Sequence, residues 1–295
     1  MEHKGRATPV IHVVGGGLNQ KPLVTLIKEM GYQVLVTDMH EEPPCKAIAD
    51  FFGQADTVDL EGTLSEAKRH NIAAVLTDQT DVAMPTVAFI AEELNLTGIG
   101  YKTALRFTNK YLMRMHLHAK LPENIPEFHF FRQVDEAVTM CQKLSNPESY
   151  IIKPINSQGS KGVYQLPSSD FETIVSKSFL EAKGNGILIE KFISGAEYSV
   201  EAYKQGSKIF NLAVTKKYHF ESNSCIDYRN TYLGDVSADL EDKLFKLNSR
   251  VLLAMELPYG VTHAEYKVTS TGEIYLIEVA ARGGGGVSPL KSSHT

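Results

Sequence analysis

Glu265 and Glu278 lie in the segment THAEYKVTSTGEIYLIEVAAR, on two predicted strands joined by a short turn. A turn centred on Thr271 and Gly272 pairs Ser270 with Glu273 and, further out along the antiparallel ladder, Glu265 with Glu278. An odd loop or a bulge would break that register. Residues directly opposite have Cβ atoms roughly 4.5 to 5.5 Å apart, where like charges destabilise a sheet. A positive charge is therefore expected between them. A hard cation such as Mg²⁺ takes oxygen ligands, often one or two carboxylates together with substrate phosphates. From the hairpin alone, two solvated surface glutamates are an equal alternative.

Three other stretches could do chemistry. In IIKPINSQGSKGV, residues 151–163, an apolar strand delivers Lys153 to a polar loop carrying Ser157, Gly159, Ser160, Lys161 and Gly162. Glycines let backbone N–H groups approach phosphate oxygens, and lysine supplies a strongly hydrated point charge. The order strand, loop, strand and the missing G-x-x-x-x-G-K-[ST] exclude a P-loop, and a polar surface hairpin is the plain alternative. In ILIEKFISGAEYSV, residues 187–200, Glu190 ends one strand and Glu197 opens the next across Ser194-Gly195. Such a linker can offer backbone groups to a purine and a carboxylate to ribose hydroxyls. Solvated glutamates would look the same.

The third stretch is the turn Gly15-Gly16-Gly17 after the strand Val10 to Val14, with Asp38 ending the next strand. This arrangement can bind a dinucleotide, which would make the chain an NAD-dependent oxidoreductase. Gln20 occupies the sixth position of G-x-G-x-x-G, which favours a tight turn shaping some other pocket. Two weaker clusters are Asp78-Gln79-Thr80-Asp81, which either reads a substrate or caps a helix, and KKYHFESNSCIDYR. The latter is read as a polar loop whose His219, Asn223, Asp227 and Arg229 either face a substrate or are ordinary loop residues.

Several elements must position these residues. The first hundred residues alternate: strands at 10–14, 34–38, 56–60, 73–77 and a short edge strand at 96–99, with helices at 21–30, 64–70 and 85–94. Alternation implies a parallel sheet covered on both faces. A helical stretch follows at 103–119, with Thr108 or Asn109 able to cap its second half. Strands at 128–131, 150–154, 163–166 and 186–192 with helices at 135–144 and 170–182 suggest an α+β lobe. Antiparallel strands at 198–204, 209–215 and 228–233, a helix at 240–255 and the acidic hairpin complete the chain.

The 295 residues can bury a large core in more than one domain. The apolar and charged fractions, 43% and 22%, are ordinary for a globular protein. A formal charge of −5 and the lack of a basic run give no reason to expect a nucleic-acid partner. Cys45, Cys141 and Cys225 are far apart and without a C-x-x-C pair, so neither a zinc site nor a disulfide framework is indicated. No apolar run reaches the roughly 18 residues of a membrane span, and the start lacks the sections of a signal peptide. A cytoplasmic protein without a membrane partner is expected.

In this order and spacing the pieces resemble the ATP-grasp superfamily, whose members join a carboxylate to an amine or related nucleophile using ATP. A βαβ first domain with GGGLNQKPLVTLIKEMGYQVLVTD, Lys110 in TNKYLMR, Lys153 before a glycine loop, Glu190 and Glu197 at a hinge, and acids on two late strands before Arg282 carry the resemblance over nearly the whole chain. The match is similar in pattern to the carbamoyl-phosphate synthetase, carboxyaminoimidazole-ribonucleotide synthetase and amino-acid ligase branch. It implies an α/β and α+β chain. A Rossmann-like pre-ATP-grasp domain over 1–102 is followed by a two-lobed ATP-grasp domain over 103–295 with a mainly antiparallel C-terminal sheet. Within the latter, 103–125 is a helical linker region, 126–189 a small lid lobe and 190–295 the C-terminal lobe.

The resemblance also implies roles. Lys110 and Lys153 would contact the α- and β-phosphates of ATP, and Gly159 and Ser160 with their neighbours would cover the β- and γ-phosphates. Glu190, Lys191 and Phe192 would hold adenine, Glu197 the ribose, and Glu265 with Glu278 Mg²⁺ or Mn²⁺. Lys153 and Arg282 would be catalytic through charge, Arg282 at the transferred phosphoryl group. The expected reaction is an ADP-forming ligation of a small carboxylate to an amine, with a homodimer common among relatives. Two departures count against full activity: Ala280 stands where many relatives place a ligating asparagine, and relatives usually continue further beyond the position of Arg282. An ATP-binding regulatory or assembly protein without turnover is the alternative.

Overall fold

The structure is a computed structural model, and it describes residues 8–167, 169–220, 223–232 and 236–284. The chain divides into two compact units, 1–105 with 282–295, and 106–281.

The N-terminal unit begins with β1 (Val10–Val14), α1 (Lys21–Glu29), β2 (Gln33–Asp38), β3 (Phe51–Gln54), α2 (Leu60–Arg69), β4 (Ala74–Leu76) and α3 (Met84–Glu93). Its strands form one parallel sheet in the order β3-β2-β1-β4. β1 reads VIHVV with every residue buried, as expected of a strand covered on both faces. Val10, Val14 and Leu35 pack with residues of α2 and α3, whereas Ile11, Val13, Val34 and Val36 pack with Val24 and Ile27 of α1. The alternation along each strand thus feeds two separate cores.

Two sequence expectations fail here. Residues 56–60 are not a strand: Asp59 caps α2, its carboxylate accepting the Gly62 N–H at 3.0 Å. The third strand is Phe51–Gln54, pairing with β2. Residues 96–99 form no strand either.

The second unit opens after α4 (Tyr101–Thr108), which spans the division, with α5 (Lys110–His118). Asn109 caps α5 by accepting the Leu112 N–H at 3.1 Å. The chain then builds a small lobe from β5 (Phe128–Phe131), α6 (Val134–Gln142), β6 (Tyr150–Pro154), β7 (Tyr164–Gln165), α7 (Phe171–Ala182) and β8 (Ile187–Lys191). These strands form an antiparallel sheet ordered β5-β8-β6-β7. Ile152, Ile187 and Ile189 point to Ala137, Cys141, Val175 and Ala182 of its two helices.

A five-stranded antiparallel sheet follows: β9 (Ala196–Gln205), β10 (Lys208–Phe220), β11 (Asn223–Tyr232), then α8 (Ala238–Ala254), β12 (Tyr259–Val268) and β13 (Ile274–Ala280), in the order β11-β10-β9-β12-β13. Period-two alternation sorts its faces. Tyr198, Val200, Ala202, Ala264 and Tyr266 are buried on one face, where the Tyr266 hydroxyl donates to Asn248 of α8 at 2.8 Å. Glu197, Ser199, Glu201, His263, Glu265 and Lys267 alternate with them and share the other face. Residues 216–220 and 223–229 lie in β10 and β11 rather than in the polar loop expected from sequence.

Candidate nucleotide and metal site

Glu265 and Glu278 are register partners, as the hairpin arithmetic requires. The route to that register differs. Val268 pairs with Ile274 and Tyr266 with Leu276, one step out of the expected register. Thr269, not Ser270, stands opposite Glu273, donating its N–H to the Glu273 carbonyl at 2.9 Å. A one-residue shift between Glu265 and Tyr266 then leaves Ile277 unpaired and restores the Glu265–Glu278 pair. The odd turn and the bulge cancel. Bulges of this kind re-aim side chains, and the Ile277 carbonyl is taken by Arg114 Nη2 at 2.7 Å.

Each acid has a cation against it. Glu278 Oε1 lies 2.9 Å from Lys110 Nζ, which also donates to the Ser157 carbonyl in the glycine loop at 2.6 Å. Glu265 pairs with Lys217, and His263 Nε2 lies 3.2 Å away on the same strand face. Burial alone would raise the Glu265 carboxyl, but Lys217 and then His263 hold it well below the usual carboxylate range. Burial likewise disfavours the His263 cation, yet hydrogen bonds to Glu201 at 2.5 Å and to Glu265 push its pKa up to about 9. Ala280 stands opposite His263 on the ladder.

Glu197 is surrounded by Lys267 at 3.0 Å, His219 at 3.3 Å and Lys217 at 3.4 Å. Burial opposes its ionisation, and these partners, His219 foremost, overcome that and hold its pKa down. Lys217 was missed in the sequence. Its signal was the alternation Thr215, Lys217, His219, which continues β10 along the acidic face and is hidden because the intervening residues are also polar.

Glu190 is the most enclosed acid. Arg114 grips it with Nε on Oε1 at 2.9 Å and Nη2 on Oε2 at 3.2 Å, and Lys153 Nζ lies 2.5 Å from the same Oε2. Burial would raise its pKa, but Arg114 and then Lys153 lower it, while burial and then the neighbouring Arg114 hold the Lys153 ammonium below its usual value. The Lys191 and Phe192 amides donate to the Glu127 and Ser149 carbonyls at 2.8 and 2.7 Å. Arg114 went unnoticed in the sequence because TNKYLMR reads as an ordinary helix start.

Lys153 leads into the loop, where Gly159, Ser160 and Gly162 have φ of +64°, +57° and +72°. Turns of this kind can present successive backbone N–H groups to an anion. At the hinge, Gly195 has φ of +154° and a Cβ there would meet the Val268 carbonyl oxygen at 2.1 Å. The hinge thus requires glycine.

In the N-terminal unit, both oxygens of Asp38 accept backbone N–H groups, from Gly16 at 2.8 Å and His40 at 3.0 Å. Asp38 is buried and clamps the glycine turn. Arg282 belongs to this unit by contact and binds both oxygens of Asp81, at 2.8 and 2.5 Å. The side chains of Asn223 and Asp227 lie outside the described residues, and Arg229 lies against the Tyr218 ring.

Residues 146–289 match the model of the ATP-grasp domain. The chain carries an ATP-grasp domain. The match takes in the glycine loop, the hinge and both acids of the last hairpin, and it implies ATP binding. A phosphoribosylamine–glycine ligase from Pyrococcus furiosus is 25% identical over 231 residues, 76% of this chain and 49% of that protein. An L-arginine-specific L-amino acid ligase from Bacillus subtilis is 26% identical over 219 residues, 72% of this chain and 52% of that protein. The chain thus spans about half the length of these curated relatives. Among solved structures, an L-amino acid ligase from Bacillus licheniformis superposes with a TM-score of 0.77 at 22% identity, covering 96% of this chain and 70% of the other. The ADP complex of an N5-carboxyaminoimidazole ribonucleotide synthetase gives 0.79 at 20%, covering 98% and 74%. These likenesses establish the fold: a parallel N-terminal sheet followed by two antiparallel sheets. No helix among the described residues is long and apolar enough to cross a membrane.

Proposed function

We propose that the chain binds Mg-ATP and forms the ATP-using part of an ADP-forming ligase that joins a small carboxylate to an amine through an acyl phosphate. The observation that carries this reading is the pairing of Glu265 with Glu278, with Lys110 joining Glu278 to the glycine loop. Phosphoryl transfer depends mainly on positioning and on neutralising charge, and this arrangement supplies both.

The proposed roles are those that the family resemblance implies. Lys110 and Lys153 serve the α- and β-phosphates, and the 156–162 loop, with Gly159 and Ser160, covers the β- and γ-phosphates. The hinge around Glu190, Lys191 and Phe192 receives adenine, and Glu197 the ribose. The family resemblance assigns Arg282 to the transferred phosphoryl group.

The donor set suits magnesium or manganese. Among the described residues no three His, Cys, Asp or Glu side chains converge as a metal cluster, and a hard cation that shares its shell with phosphates and water needs only one or two carboxylates. Glu265 and Glu278 would hold it, and it would supply Lewis-acid stabilisation of the phosphoryl oxygens.

A screen for ADP release over amino acids, bicarbonate and small carboxylates, each with an amine partner, tests the reading. ADP release that needs Mg²⁺, a carboxylate and an amine is expected. Ala280 opposite His263 supports a second reading, a nucleotide-binding regulatory or assembly protein; tight ATP binding with no ADP from any pair would favour it.

A further inference from the structure

The two acids proposed for the metal are both neutralised from within the chain, but not in the same way as Glu190. The Glu190 side chain is 2% exposed and locked between Arg114 and Lys153, with Arg114 also held by the Ile277 carbonyl. The Glu278 and Glu265 side chains are 33% and 21% exposed. Each is paired with a lysine ammonium on a flexible four-carbon stem, Lys110 for Glu278 and Lys217 for Glu265. Guanidinium, by contrast, is a rigid fork fitted to one partner. Glu190 is therefore the more enclosed acid, held by a guanidinium as well as by Lys153, whereas Glu278 and Glu265 are more open and each faces a lysine that can turn away.

We propose that Lys110 and Lys217 are exchangeable counter-ions that keep Glu278 and Glu265 closed to metal until nucleotide arrives, so that metal and nucleotide enter as one charge-balanced unit. The proposal rests on the ATP-site reading above.

The charges explain the direction. A divalent cation reaching Glu278 alone must displace Lys110, leaving an ammonium group that is mostly buried, with a side chain 8% exposed, beside the Ser157 carbonyl and without its carboxylate. Stranding a buried charge in this way is costly. A triphosphate or diphosphate removes the obstacle, because its oxygens give Lys110 a new anionic partner beside the glycine loop, to which the lysine is already bonded. At the other acid, Lys217 bridges Glu265 and Glu197. When Lys217 turns away from Glu265, Glu197 keeps Lys267 and His219, and Glu265 keeps His263. Linkage makes the effect mutual: whatever factor nucleotide adds to metal affinity, metal adds to nucleotide affinity.

The test measures Mn²⁺ binding by the whole chain, through the magnetic resonance signal of free Mn²⁺. Wild type is measured without nucleotide and then with saturating ADP, after subtracting the metal held by free ADP. Lys110→Met and Lys217→Met keep the stems and remove the charges, and they sit on different elements, α5 and β10. Wild type is expected to bind Mn²⁺ more tightly by about tenfold or more with ADP, an ordinary coupling between two sites. Each variant should bind Mn²⁺ more tightly than wild type when no nucleotide is present. Equal wild-type affinity with and without ADP, or variants that match wild type without nucleotide, would overturn the exchange. ADP binding in the presence of a chelator is measured separately. Its absence counts against the ATP-site reading, while the nucleotide-free comparison of wild type with the variants still decides whether the lysines guard the acids.

Discussion

Glu265 and Glu278 face one another on the last hairpin because an odd turn at Thr269–Glu273 and a one-residue bulge at Ile277 cancel. The bulge is held by Arg114, which also grips Glu190. A single guanidinium therefore ties the register of the acidic hairpin to the buried ion cluster at the end of β8.

The first prediction concerns charge at that hairpin. Glu278→Gln keeps the shape and removes the carboxylate, so magnesium-dependent ADP formation should fall by about 10²-fold or more, as when a preorganised electrostatic partner is lost. The fold should stay intact, with the thermal midpoint lowered because Lys110 loses its carboxylate partner. Unchanged turnover would refute the assignment of Glu278 to metal.

Arg114→Met should act on stability instead. It leaves Glu190 with Lys153 alone and strips the Ile277 carbonyl of its donor. Breaking a buried pair from one side costs about 3 to 5 kcal/mol, readable as a lower denaturant midpoint. A variant as stable as wild type would show that the Arg114 contacts do not hold the bulge.

Gly195→Ala tests the hinge. At φ of +154° a Cβ would collide with the Val268 carbonyl, and a residue forced into such backbone costs about 1 to 3 kcal/mol. An unchanged midpoint would mean that the hinge relaxes without loss.

His12 gives a pH dependence. It is fully buried on β1, its Nε2 meets the Thr37 hydroxyl at 2.9 Å, and burial, with His70 adding, pushes its pKa down to about 3. The unfolded chain regains the ordinary value of 6.5 and binds the proton that the folded chain refuses. Stability must then fall as pH drops from 6.5 toward about 3, by up to about 1.4 kcal/mol per pH unit from this group. His12→Gln should show a shallower loss over that window in denaturant titrations. Parallel pH profiles would contradict a buried neutral imidazole.

Much of this was legible in the sequence, and the misses share physical causes. β1, β5 and β6 agree residue for residue because apolar runs bounded by turn residues define them. Phe51–Gln54 escaped notice as a strand because four residues with a glycine hold no clear alternation; it forms by pairing with β2. Thr57-Val58-Asp59-Leu60 imitates alternation, but Asp59 is a helix cap. Lys217 and His219 looked like loop residues because a strand whose inward face is ionic carries no hydrophobic signal. Counting placed the acids opposite one another only because the odd turn and the bulge cancel. Their lysine partners could not be placed, since ion pairs across non-adjacent elements leave no period in the chain.

Oxygen transfer reads directly whether an acyl phosphate is made from ATP. With a carboxylate and amine pair that supports ADP release, the carboxylate is labelled with ¹⁸O and the released phosphate is examined by mass spectrometry. One ¹⁸O in inorganic phosphate is expected for each amide formed, with ADP as the nucleotide product. Label appearing in AMP, or phosphate free of label while product accumulates, would contradict an acyl phosphate intermediate.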